Sequence, residues 1–298
     1  MRYIGLFLIS LFAFVTPAFA AKPPSLGQLN VVAFGGNVGQ LSAVISTNSY
    51  GQAWLSVTNA PAVSLSSCNT TYLKGVRAQL MPQYPNAHYF IFFGAPCNAG
   101  MVQEEAPASM YMSGKVFSSA LVHEFAHAMG HLHPHQIECS TNDPIAVDCV
   151  KTWADFADWM QLLDVHANAP HKETLRWITV PVVTESATGF LSPMHTTGGL
   201  KAFKTPFPNL WYPSRPSYLV FEWRQEARLA NSFYRGYTDG VMIHFAERWC
   251  ISGVPSGTCT EAWDTYALDM RPETRLVGYR YDPALPYGSS YTFPENGL

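Results

Sequence analysis

The residues best suited to chemistry lie in one stretch, residues 123–133, which follows the pattern H-E-x-x-H-x-x-G-x-x-H. Residues four apart share one face of a helix, so His123 and His127 can present their imidazoles to one ion. Gly130 can adopt a positive φ and turn the chain sharply, which would bring in His133 as a third ligand. Three neutral imidazoles leave one tetrahedral position of Zn²⁺ open to water, as in catalytic sites. The pattern therefore predicts a zinc site held by His123, His127 and His133.

Glu124 has the position that a general base needs. It directly follows the first ligand, so it points off the ligand axis and can reach a metal-bound water without binding the metal. His131 and His135 continue the four-residue spacing and are alternative ligands, although Pro134 should end any helix before His135. A bare H-E-x-x-H can arise by chance, but the added glycine and third histidine make chance far rarer. We therefore expect a hydrolytic metal site.

This stretch resembles the signature of the metzincin metallopeptidases, and segments after it resemble gametolysin-like peptidases within that clan. Asp158-Trp159-Met160 resembles the family's aspartate-x-methionine turn, which implies that Met160 lies beneath the metal. Residues 168–177 resemble a stretch ending in leucine-glycine-tryptophan, although Arg176 stands in place of the glycine. Many relatives in the clan carry a tyrosine two residues after the turn methionine, where this chain has Leu162. Weaker likenesses follow at residues 218–225, 240–244 and 267–272.

Residues 1–20 have the features of a secretory signal peptide. Arg2 precedes an apolar run over 3–15, and Ala18-Phe19-Ala20 fits a small-x-small cleavage site. A membrane anchor is the competing interpretation, but the run is shorter than the roughly 20 residues of a span and is followed by Pro17. We expect export and cleavage near Ala20, with no membrane anchor afterwards.

Composition excludes some partner classes. Charged residues make up 13% of the 298 residues and the net charge is −3, whereas globular proteins have roughly 25% charged residues. No basic surface for nucleic acid is indicated. Six cysteines in an exported chain favour disulfides over thiolate zinc ligation, because no close C-x-x-C pair exists. Fifteen connectivities are possible. Proximity in the sequence suggests Cys139–Cys149 and Cys250–Cys259, which leaves Cys68 to pair with Cys97.

The chain before the zinc motif indicates alternating strands and helices. Apolar runs predict strands at 29–34 and 88–93, and a helix is predicted over 70–84. The pattern at 38–46 does not assign a type of secondary structure, and the pattern at 52–65 predicts extended structure. Residues 109–112 are either an edge strand, which in the resembled clan would pair with an extended substrate, or a buried strand. The zinc helix should begin near Ser118 or Ser119.

From Trp177 onward, short apolar and aromatic runs separated by Pro and Gly turns predict a β-rich region. Trp211, Tyr212 and Trp223 form either a ligand surface or core, and core packing is favoured. The predicted fold class is α+β: a signal peptide at 1–20, a metzincin-like zinc domain with a mixed twisted sheet at 21–176, and a β-rich C-terminal domain at 177–298.

The sequence predicts an exported, monomeric zinc endopeptidase that acts on proteins or peptides, with Glu124 as its base. One alternative is an exported protein- or glycan-binding protein with a structural or relic zinc site, although such a site gains nothing from Glu124. Another is a zinc hydrolase of a non-peptide bond, since the motif specifies the chemistry and not the leaving group.

Overall fold

The computed structural model describes residues 24–97, 100–103, 107–113, 118–139, 145, 149–152, 158, 166–186, 188–225, 240–250, 259–268, 270, 284–286 and 288–291. The predicted signal peptide, Met160 and Leu162 lie outside these residues. Within them, no helix has the length and apolar character needed to cross a membrane. Two mixed β-sheets and a few helices make up the described chain, which confirms the α+β class.

The first sheet has five strands in the order β2-β1-β3-β5-β4. They are β1 (Gly27–Phe34), β2 (Ala53–Ala60), β3 (Tyr89–Ala95), β4 (Gly100–Gln103) and β5 (Ala108–Ser113). All neighbouring strands are parallel except β4, which runs antiparallel to β5 at one edge. The helices of this half are α1 (Gly39–Asn48), α2 (Thr70–Leu80) and α3 (Ser118–Ala128).

Both faces of this sheet are covered, because successive side chains of a strand point to opposite faces. Val31 of β1 faces a core that includes Leu41 of α1 and Phe125 of α3. The next residue, Val32, faces a second core that includes Leu73 of α2. The predictions of β1, α2 and β3 are thereby confirmed, and the ambiguous segment after β1 is helix α1.

Residues 109–112 are not an edge strand. They lie in β5, where Ser109 to Met112 are all buried and β3 and β4 pair on either side. The edge-strand interpretation of 109–112 is therefore wrong, because the short strand β4 covers the outer side of β5. Strand β4 occupies the edge instead.

The second sheet has the order β7-β6-β11-β10-β9-β8, and β12 pairs with β10. Its strands are β6 (Pro134–Glu138), β7 (Val150–Thr152), β8 (Ala202–Pro206), β9 (Ser217–Arg224), β10 (Gly240–Cys250), β11 (Cys259–Leu268) and β12 (Leu285–Pro286). Only β6 and β11 are parallel neighbours. This sheet combines two strands from before residue 177 with five from after it, and a domain boundary at 176 stays a prediction.

Two of the expected disulfides are present, Cys68–Cys97 and Cys139–Cys149. Cys250 lies opposite Cys259 in the β10–β11 register, as the third expected pair requires, but the sulfur atoms of that pair lie outside the described side chains. Disulfides indicate an oxidising compartment.

The three aromatic residues for which the sequence allowed either a ligand surface or core packing differ in burial. The Trp211 ring packs on the Phe245 ring, with centroids 5.2 Å apart. Trp223 is half-buried, and Tyr212 is exposed.

A short helix, α4 (Ala169–Thr174), and the residues before it connect the two sheets. Lys172 is buried and its Nζ donates to the carbonyl of Asn48, at 2.7 Å, and to Nδ1 of His166, at 2.7 Å. Arg224 of β9 donates to the carbonyl of His166. Burial and the neighbouring cations lower the pKa of His166 to about 2, so its ring is neutral and its Nδ1 can accept a hydrogen bond from Lys172.

Arg176 follows α4 in the left-handed conformation, with φ of 62°. The amide of Trp177 donates to the Lys172 carbonyl and the amide of Arg176 donates to the Glu173 carbonyl, the two bonds of a Schellman motif. That motif favours glycine, the residue that the resembled family has at this position. Arg176 therefore occupies a turn whose backbone conformation favours glycine.

Replacing Arg176 with glycine should stabilise the protein. The left-handed conformation is about 1–2 kcal/mol less favourable for a residue with a Cβ. Glycine offsets part of this gain in stability, because it also gives the unfolded chain more conformational freedom. We expect Arg176→Gly to raise the free energy of unfolding by about 1 kcal/mol in urea denaturation. Arg176→Ala removes the same exposed side chain and keeps the Cβ, so an equal gain in that variant would contradict this explanation.

Candidate metal centre

Helix α3 carries the first two histidines of the motif and ends at Ala128, one residue after the second. Gly130 adopts φ of 91°, the amide of His131 donates to the Ala126 carbonyl, and the amide of Gly130 donates to the His127 carbonyl. These bonds form a Schellman motif that ends the helix and reverses the chain. The glycine thus acts as predicted, and the next residues lead to His133, which directly precedes β6.

Three imidazole nitrogens converge. Nε2 of His127 lies 3.2 Å from Nε2 of His123 and 3.1 Å from Nε2 of His133. A tetrahedral ion with bonds of about 2.0–2.1 Å to nitrogen would separate its ligands by about 3.3–3.4 Å. The spacing therefore fits a single ion, and these three histidines can hold a metal ion.

One hydrogen bond determines the tautomer of His127. Its Nδ1 lies 2.9 Å from the carbonyl oxygen of His131, and a carbonyl oxygen only accepts, so Nδ1 carries the proton. In a neutral ring Nε2 then has a free lone pair directed at the other two nitrogens. Backbone bonds of this kind commonly orient metal-binding histidines.

The two alternative ligands make other contacts. The buried ring of His131 stacks on the ring of His171, with centroids 4.2 Å apart. His135 lies in β6, with Nε2 3.6 Å from a carboxylate oxygen of Asp264 and its ring beside Tyr266. Among the described residues, the one cluster of three metal-binding side chains is His123, His127 and His133.

Glu124 is half-buried beside this cluster. Burial raises the pKa of its carboxyl group above the ordinary value, while His123 and His133 oppose that rise. Gly100 of β4 lies against it: a Cβ on Gly100 would come within 2.5 Å of Oε1 of Glu124. Gly100 is not among the residues predicted from the sequence, because its place at the start of the four-residue strand β4 leaves no periodic pattern.

Asp158, from the predicted methionine turn, is fully buried near the motif. Its Oδ2 accepts hydrogen bonds from the amide of Asn168, at 2.7 Å, and from Nδ1 of His171, at 3.1 Å. Asn168 caps α4, because its Oδ1 accepts a hydrogen bond from the amide of His171. Asp158 is therefore joined to α4, and Met160 lies outside the described residues.

Two of the later family-like segments meet at the start of the same helix. The carboxylate of Glu222 in β9 accepts three hydrogen bonds. The donors are the amide of Ala169 at 2.6 Å, Nε of Arg224 at 2.6 Å and Nε2 of His244 at 2.9 Å. Burial opposes the charge of Glu222, but Arg224 and His244 outweigh it and lower its pKa to about 2. Segments 218–225 and 240–244 thus form one ionic cluster under α4.

No family model, curated protein or solved structure matches this chain. The likeness to gametolysin-like metzincins therefore stays a prediction from the sequence.

Removing a converging histidine should strongly weaken metal binding. We expect His133→Ala to weaken zinc binding by at least about a hundredfold, because a complete ligand is lost whereas outer contacts are worth about 10–100-fold. His135→Gln, two residues away, should bind zinc as the wild type does. Competition with a chromophoric chelator measures both affinities. Equal loss in the two variants would mean that His135 is also a ligand.

Proposed function

We propose that this protein is an exported zinc-dependent endopeptidase. The observation that carries the proposal is the meeting of three histidine nitrogens, a half-buried carboxylate and a strand edge at one place. His123, His127 and His133 would hold the ion, and Glu124 lies beside them. The likeness of residues 123–133 and 158–177 to metzincin peptidases supports the same assignment.

Glu124 is suited to move the proton in such a reaction. A zinc ion at this site supplies Lewis-acid polarisation of a carbonyl and a water of lowered pKa. Glu124 accepts the proton of the attacking water at its carboxylate and returns it to the leaving amine. Burial raises its pKa toward neutral pH, where a group that must both accept and donate a proton works best.

Strand β4 favours a peptide over a compact substrate. It pairs with β5 on one side, and within the described ranges no strand pairs with its other side. An extended peptide can add to such an edge through backbone hydrogen bonds. Because Gly100 at the start of β4 lies against Glu124, a peptide paired there would run past the catalytic carboxylate. Pairing along a strand also suits cleavage within a chain.

Digestion of a diverse peptide library, analysed by mass spectrometry, tests the function. The zinc-loaded protein should cut internal peptide bonds, lose this activity on chelation and regain it when zinc is added. Glu124→Gln keeps the size of the side chain but cannot accept the proton, so we expect it to bind zinc normally and to cleave at least about 10²-fold more slowly. Substantial turnover by this variant would exclude Glu124 as the base. A folded, zinc-loaded protein that cuts no peptide would exclude the peptidase.

Gly100→Ala should damage the reaction without damaging the metal site. Its new Cβ would overlap the Glu124 carboxylate, and a displacement of about 1 Å can cost about 10²-fold in rate. We expect kcat to fall by about 10–100-fold while zinc affinity is unchanged. Gly75→Ala in α2 is the matched control, since its Cβ meets nothing within 4 Å. Equal kcat values for the two variants would show that Gly100 does not constrain Glu124.

A further inference from the structure

His131 lies inside the metal motif, yet its ring takes no part in the convergence of ligand nitrogens. The ring is 1% exposed and lies on the ring of His171, with centroids 4.2 Å apart and planes 16° apart. Its backbone carbonyl, in contrast, accepts the Nδ1 proton of the ligand His127 at 2.9 Å. The position of His131 therefore determines where this carbonyl points and how the His127 ring is oriented.

His171 is itself held from two directions. Its Nδ1 is 3.1 Å from Oδ2 of Asp158, and its backbone amide donates to Oδ1 of Asn168. The same Asp158 oxygen accepts the amide of Asn168. His171 and Asp158 are buried, so water does not compete for these bonds. The His171 ring has one orientation in which it can satisfy Asp158 and also stack on His131.

We propose that Asp158, His171 and His131 are positioning residues for the metal site. Asp158 orients the ring of His171, that ring supports the ring of His131, and the carbonyl of His131 fixes the ligand His127. The inference rests on the proposed function in taking zinc as the ion, but it does not require peptide cleavage. It assigns a role to three residues, Asp158, His131 and His171, that the peptidase reaction itself does not use.

The geometry supports this order of action. Contacts outside the ligands of a metal commonly set ligand orientation and are worth about 10–100-fold in affinity. Here the outer contact of His127 is a backbone carbonyl, which no side-chain substitution removes directly. Its placement depends on the turn after α3, and the stacked ring of His171 is what packs against that turn through His131.

Zinc affinity, measured by chelator competition, and the visible absorption spectrum of the Co²⁺-substituted protein test the proposal. His131→Ala and His171→Ala should raise the zinc Kd by about 10–100-fold and alter the Co²⁺ spectrum. His131→Phe keeps a stacking ring and the carbonyl, so it should restore both towards wild type. His195→Ala is the control, because this exposed histidine makes none of these contacts, and it should change neither readout.

His171→Phe separates positioning from packing and serves also if the alanine variants do not fold. It keeps a ring under His131 but cannot donate to Asp158, so we expect weaker zinc binding and a changed Co²⁺ spectrum. A variant that lowers only the Tm of the metal-free protein, with zinc Kd and spectrum unchanged, would overturn the proposal and leave a purely structural role. A wild type that binds zinc but cleaves no peptide would remove the proposed function and leave this inference standing.

Discussion

The rest of the site depends on the close approach of three imidazole nitrogens. Nε2 of His127 lies 3.2 Å from Nε2 of His123 and 3.1 Å from Nε2 of His133. Lone pairs directed at one point repel each other unless a cation lies between them, so the surrounding structure must hold the rings in place. Helix spacing holds two of them, and the Schellman turn at Gly130 starts the return toward the third. A backbone carbonyl orients His127. These devices all lie within residues 123–133.

The buried ions under α4 serve a different purpose, because they join distant parts of the chain. Glu222 is fully buried and would be costly to charge without partners. Arg224, His244 and the amide of Ala169 satisfy its oxygens. Asn168, the residue that caps α4, donates its amide to Asp158. Contacts at the start of α4 therefore link the second sheet to Asp158. Segments that resemble a known family only weakly in sequence acquire a common physical role in this cluster.

The parts of the fold that follow from local pattern were predictable, and the parts that follow from distant pairing were not. The spacing of the histidines indicated the metal cluster, and unbroken apolar runs indicated β1 and β3. Residues 109–112 were ambiguous, because an inner and an edge strand differ only in whether another segment pairs outside them. That segment, β4, has four residues and no pattern of its own. The role of Gly100 depends on how close β4 comes to Glu124, which no sequence period encodes.

The parallel pairing of β6 with β11 affects the order in which parts of the protein fold. His133 directly precedes β6, whose partner residues run from Thr265 to Leu268, so the segment carrying the third ligand is anchored by chain synthesised much later. Parallel pairing across such a separation forms slowly, since the loop must close before the contacts gain anything. We therefore expect the two helical histidines to be in place before the β6–β11 pairing fixes the segment that carries His133. Assembly of the histidine cluster would then depend on formation of the second sheet.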